Sequence, residues 1–209
     1  MNDTAATTVN HHADFPGFAG VAGFLAGAAM AIMGRSKARL AVDMADISAA
    51  DHVVDIGCGP GSAVRAAAQR GARVIGVDPA PVMLQLARIL TRNQAGITWS
   101  LGAAEDVPVP DGSATVVWSL ATVHHWKDVD AGLAETCRVL GPGGRFLAIE
   151  RQTRPGATGL ASHGWTEEQV ESFAARCRAA GFDGMRIAQH RAGRSGSWVV
   201  QGTRPTDLV

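Results

Sequence analysis

Glycines stand at alternate positions in Asp55-Ile56-Gly57-Cys58-Gly59-Pro60-Gly61, directly after the apolar pair Val53-Val54. A residue without a Cβ lets the chain turn tightly and brings backbone amides close to a ligand. A second apolar run, Arg73 to Asp78, ends in a carboxylate 17 residues after Gly61. An acid at that distance accepts two hydrogen bonds from a ribose diol. The string departs from the dinucleotide pattern G-x-G-x-x-G, since Ser62 stands where the last glycine belongs. Asp55 precedes the loop, where its charge repels a phosphate and attracts an ammonium group.

A nucleoside with a zwitterionic amino-acid tail and no phosphate satisfies both departures. The expected cofactor is therefore S-adenosylmethionine (SAM). A second set of chemically able residues is His124-His125-Trp126, after the apolar run Thr115 to Ser119. Imidazoles titrate near neutrality, so His125, and less directly His124, are candidate catalytic bases for an acceptor that starts with a proton. The plainer reading of either ring is packing, as it is for Trp126, the candidate aromatic contact. His11-His12 and His163 share no metal-ligand spacing, and no metal is expected.

The elements that must hold these residues alternate. Strands are expected at residues 52–56, 73–78, 97–101, 115–119 and 145–150, with a helix at 37–47 before them and helices at 62–71, 79–92, 129–140 and 166–180 between or after them. Ser62 is placed to cap the second helix, and Gly141-Pro142-Gly143-Gly144 reads as a turn. Alternation over five strands predicts a doubly wound, mostly parallel Rossmann-like sheet. Two closing strands, at 187–190 and 197–202, make an antiparallel edge hairpin, for seven in all.

Before this unit lies an uncharged run, Phe15 to Gly34, with five glycines. Its length suits a bilayer span, and Arg35, Lys37 and Arg39 follow it. Only six of its twenty residues are Leu, Ile, Val or Phe, and a secretory signal would need a basic start. The preferred reading is a helical cap, residues 1–36, over a domain of residues 37–209. Phe15, Phe18, Phe24, Met30 and Met33 would then line the acceptor pocket; membrane contact stays open but is not favoured.

The 209 residues carry 19 basic and 19 acidic side chains, so no basic surplus marks a nucleic-acid binder. Tyr is absent, which removes phenol acid–base chemistry. Three cysteines without a CxxC point to a reducing cytoplasm.

The blocks VVDIGCGPGSA, VIGVDPAPVMLQLA, AAEDVPVPDGS, SLATVHHW and RVLGPGGRF occur in this order. Together they resemble class I SAM-dependent methyltransferases, in particular the small-molecule, quinone-biosynthesis-like group known as methyltransferase type 11. The resemblance implies that Asp55, Gly57, Cys58, Gly59 and Gly61 surround the methionine tail and that Asp78 holds the ribose. It sets Pro79 and Met83 against adenine, Ala103, Ala104 and Glu105 at the adenine edge, and Ser119 and Leu120 below the sulfonium. Relatives often have an acid where this chain has Ala103, so the adenine amino contact must come from backbone, Glu105, Asp106 or water. The acceptor implied is a small apolar or aromatic molecule, methylated on oxygen, nitrogen or carbon. The competing expectation is a SAM- or S-adenosylhomocysteine-binding protein, regulatory or membrane-associated, that transfers no methyl group. The oligomeric state is left open.

Overall fold

A computed structural model describes residues 8–14, 18–192 and 195–206. Seven strands form one sheet in the order β3-β2-β1-β4-β5-β7-β6. They are β1 (His52–Ile56), β2 (Arg73–Asp78), β3 (Ile97–Leu101), β4 (Ala114–Leu120), β5 (Leu140–Arg151), β6 (Asp183–Ala192) and β7 (Ser195–Thr203). The first five run parallel, and β7 lies antiparallel between β5 and β6. Parallel strands are covered on both faces, which is why β1 and β4 are nearly continuous in apolar residues. Val54, Ile56 and Val117 pack with Leu133, Phe146 and Phe173 on one face. Val53, Val116 and Trp118 pack with Ala38, Ala41, Val64 and Ala67 on the other.

The helices are α1 (Gly20–Met33), α2 (Arg35–Met44), α3 (Ser62–Ala68), α4 (Pro81–Thr91), α5 (Val129–Val139) and α6 (Glu167–Ala179). Thr166 and Gln169 close the capping box that opens α6, as the spacing T-x-x-Q predicts. Two local expectations are corrected. Gly61, left-handed at φ 78, is the N-cap of α3, and Ser62 instead donates its hydroxyl to the Ala31 carbonyl on α1. Gly141 to Gly144 is not a free turn but the irregular start of β5, where the register with β4 shifts between Ala114 and Val116. An added Cβ on Gly144 would meet the Gly141 carbonyl at 2.8 Å, so the bulge depends on glycine there.

Among the described residues, no helix is long and apolar enough to cross a membrane. Helix α1 buries Gly23, Gly27 and Ala31, the small residues of one stripe, and turns Val21, Leu25, Ile32 and Met33 outward. The reason is close approach: a Cβ on Gly27 would lie 2.9 Å from Met83 Sδ on α4. Leu25 is 65% exposed and Met33 70%, so the apolar run is a helix laid across α4 with one apolar face open to solvent.

Candidate active site

The strand order reverses between β1 and β4, and the crevice of such a sheet opens beyond the carboxyl ends of the strands at that point. The glycine loop leaves β1 there. Gly57, Gly59 and Gly61 all have positive φ (75°, 52° and 78°). A Cβ on Gly57 would meet the Thr122 side chain at 2.7 Å, and one on Gly61 the Trp99 ring at 2.4 Å. A Cβ on Gly59 would, among the described residues, meet just the Met30 methyl, at 3.7 Å. The loop is thus packed tightly at Gly57 and Gly61, while Gly59, itself buried, leaves room for a Cβ-sized group beneath Met30 of α1.

Asp78, at the end of β2, is buried, and both its oxygens are used by backbone. Oδ2 accepts from the Gly59 amide and Oδ1 from the Ala80 amide, each at 2.8 Å. Burial pushes its pKa up, while those two amides oppose the rise. Asp55 is 2% exposed. Burial raises it to about 7, Trp118 opposes, and the Asp78 charge adds to the rise. Cys58 is buried with its pKa pushed up by burial, which keeps it a thiol. Pro79 is exposed before α4, and Met83 is buried beneath Gly27 of α1.

On the adenine side, Ala103 is half-buried and Ala104 buried. Glu105 does not present a free carboxylate at that edge: its Oε1 accepts from the Lys127 and Asp128 amides at 2.7 and 3.1 Å. Two exposed amides in a tight loop recruit the nearest carboxylate, and Glu105 is that carboxylate. Ser119 is buried with its hydroxyl on Thr122, whose Oγ1 donates to the Ile56 carbonyl. Leu120 is half-buried above it. Ala121 then takes a left-handed φ of 60°, a strained conformation for a residue with a Cβ and one that concentrates at functional sites.

Beyond Ala121 a 3-10 turn, Val123–His125, carries the two histidines. His124 is buried, its Nδ1 2.9 Å from Oε2 of the fully buried Glu150 on β5. Burial works against Glu150's charge, yet His124 and the nearby Lys37 hold its pKa below the ordinary carboxylate value. His125 is half-buried, and its Nδ1 donates to the His12 carbonyl at 3.2 Å. Burial, then the His124 ring, lower its pKa to about 4. A ring so lowered is neutral and weakly basic near neutrality. Trp126 packs on α5, where a Cβ on Gly132 would meet its ring at 2.5 Å.

The acceptor wall also differs from expectation. Phe15 lies outside the described residues. Phe18 is half-buried against Gly23, while Phe24, at 36% exposed, and Met33 face outward. Of the four that are described, Met30 is the one facing the loop.

Sequence reasoning missed a convergence. Residues 8–14 thread along the end of β4. The Val9 carbonyl accepts from Trp165 Nε1 at 2.8 Å, and the His12 amide donates to the His124 carbonyl at 2.9 Å. Five of the seven histidines, 11, 12, 124, 125 and 163, thereby gather. The His12 and His163 rings stack at 4.1 Å, and so close a neighbour, after burial, lowers the pKa of His12. The two His-His doublets were the available signal. A cleft of about 270 Å³ beside His11 is lined by residues 153–157 and the start of α6.

The family described as "Methyltransferase domain" matches residues 54–148. The chain is 36% identical to a demethylmenaquinone methyltransferase of Tropheryma whipplei over 112 residues, 54% of this chain and 46% of that protein. It is 35% identical to a malonyl-[acyl-carrier protein] O-methyltransferase of Serratia marcescens over 144 residues, 69% of this chain and 54% of that protein. The chain thus spans about half the length of these curated relatives. Among solved structures, the [4+2]-cyclase SpnF superposes with a TM-score of 0.71 at 17% identity, covering 83% of this chain and 82% of that one.

Proposed function

We propose, for a chain whose residues 54–148 form a methyltransferase domain, that the protein binds SAM along the glycine loop and transfers its methyl group to a small, flat, apolar acceptor. The observation that supports this best is the cradle itself: three left-handed glycines, two packed hard against Thr122 and Trp99 and Gly59 with room for a Cβ-sized group, with Asp78 holding the loop's amide. When bound, SAM supplies an electrophilic methyl carbon on a good leaving group, so the protein's work is alignment and exclusion of water.

Each Asp78 oxygen has a second lone pair and accepts a ribose hydroxyl beside the amide it already holds. Asp55, unfavourably placed as a buried carboxyl, gains from an ammonium group near it. With Glu105 committed to the amides of 127 and 128, the adenine amino group falls to backbone at Ala103 and Ala104. Ser119 and Thr122 fix the floor below the reacting atoms. Residues 1–36 act as a cap, Met30 of α1 being its contact with the loop. His124 and His125 border the acceptor. His125, half-buried where His124 is enclosed, has its pKa lowered to about 4 by burial and is too weak a base to carry the proton far. The names of the relatives support a quinol-like or carboxyl acceptor. The free thiols of Cys58, Cys137 and Cys177 support a cytoplasmic setting, and the balanced charge gives no support to a nucleic-acid partner.

The test is transfer of labelled methyl from SAM to a panel of quinols, phenols and carboxylic acids, with calorimetry of S-adenosylhomocysteine alongside. Methylation of one class is expected. Binding without transfer to any class would favour a SAM-binding module, and absence of binding would overturn the cofactor assignment.

A further inference from the structure

We infer that His124, His125 and His163 form a site for a late first-row divalent metal ion, zinc being the representative, at the edge of the crevice. Each of the three side chains offers one ligand nitrogen, and these nitrogens all lie within 4.8 Å of one another. Three neutral imidazoles suit a borderline-soft ion of this class and leave a fourth position for water or an acceptor oxygen.

Two rings are already set in the tautomer that binding needs. A carboxylate has no proton to give, so His124 Nδ1 donates to Glu150 Oε2 and the lone pair sits on Nε2. That Nε2 belongs to a buried side chain and, among the described residues, has no hydrogen-bond partner, a costly arrangement for a ring with no other use. A carboxylate behind a histidine is also the usual outer support of a metal ligand. His125 Nδ1 donates to the His12 carbonyl, which again places the lone pair on Nε2. His163 is brought in by backbone. Arg151 Nε donates to its carbonyl at 2.9 Å, and Gly164 packs against Arg151 where a Cβ would come within 2.2 Å of the carbonyl oxygen.

His11 and His12 form the outer wall and are not ligands. His11 has both nitrogens engaged, one with the Ser162 carbonyl at 2.9 Å and one with Gln169 at 3.3 Å, and His12 Nε2 meets the Ser162 hydroxyl at 3.1 Å. Zinc–nitrogen bonds of about 2.0–2.1 Å require the three ligands to draw slightly closer, and His163, half-buried on a loop, is the one able to move. The site does not rest on methyl transfer, since none of its atoms belongs to the SAM cradle.

The experiment titrates zinc into tag-free, metal-stripped full-length protein by calorimetry, counts bound zinc after desalting, and records the visible spectrum with cobalt. One ion per chain is expected, with an intensified low-coordinate cobalt band. His163→Gln and His125→Gln, both at partly exposed positions, each weaken zinc by about tenfold or more and lose the cobalt band. His190→Gln, exposed on β6, changes neither. Zinc well below one per chain, binding that survives both substitutions, or an equal loss in His190→Gln would overturn the site. Calorimetry with S-adenosylhomocysteine on the same variants separates this outcome from failure of the cofactor reading.

Discussion

The two walls of the crevice are built in opposite ways. The glycine wall is local. Residues 55–61 and 78–80 leave neighbouring parallel strands, and one carboxylate bonds both loops. The histidine wall is assembled from stretches far apart in the chain, residues 11–12, 124–125 and 163, with Glu150 behind them. Backbone conformation specifies the first wall, and tertiary packing specifies the second. Damage to the first should therefore show in ligand binding, and damage to the second in stability.

The largest effect is expected at Asp78. Asp78→Ala removes the acceptors of the two ribose hydroxyls, charge-assisted bonds worth about 1.5–3 kcal/mol each at most, as well as those of the Gly59 and Ala80 amides. The Kd for S-adenosylhomocysteine should rise roughly a hundredfold or more, while zinc affinity at the other wall stays unchanged. Equal cofactor affinity in calorimetry would break the assignment of this wall.

Glu150→Ala should reverse the pattern. It strands the His124 N–H in a buried site, at a cost of about 3 kcal/mol. Thermal unfolding should fall by roughly 6–12 °C for a chain of this size, with cofactor affinity nearly unaffected. A variant as stable as the parent would mean that the Glu150–His124 pair at 2.9 Å contributes nothing to the second wall.

This division also explains what was legible in the sequence. The seven-strand order of types followed from period and punctuation, because parallel strands buried on both faces read as apolar runs. The glycine loop and Asp78 were legible because their separation along the chain is fixed by one strand–helix–strand unit. Glu105 was not: its carboxylate is claimed by amides more than twenty residues away. Nor were His11, His12 and His163, since no spacing rule links a terminal segment to a loop between β5 and α6. The outward turn of Phe24 and Met33 was hidden for another reason. An uncharged helix rich in glycine shows no dominant apolar face, and the stripe that packs is the one of smallest residues.

A smaller effect is expected where α1 crosses the first wall. Deletion up to Ser36 is a poor probe, because it also removes Val9 and His12 from the second wall. Gly27→Leu is more selective. Its side chain must displace Met83, and overpacking of this kind costs about 1–3 kcal/mol. Limited proteolysis should then cut α1 faster and turnover should fall severalfold, while zinc binding persists. Wild-type turnover with α1 visibly loosened would remove the cap from the mechanism.

The smallest effect separates the walls by pH. Folded Asp55 keeps its proton to about pH 7, against an ordinary value of 3.8, chiefly through burial and then through the Asp78 charge. Between those values the folded chain binds more protons than the unfolded chain. Asp55's stabilising contribution is therefore full below about pH 3.8 and is lost as pH rises through about 7. A ligand ammonium beside the carboxyl changes the balance, since opposite charge favours the ionised form. Cofactor affinity should accordingly tighten by roughly tenfold between pH 6 and pH 8, and Asp55→Asn should flatten that slope. His125, with its pKa lowered to about 4 by burial and then His124, is neutral throughout this window and adds no slope from the other wall. A flat profile in the parent protein, or the same slope in Asp55→Asn, would leave Asp55 a buried structural acid and put the ammonium group elsewhere on the loop.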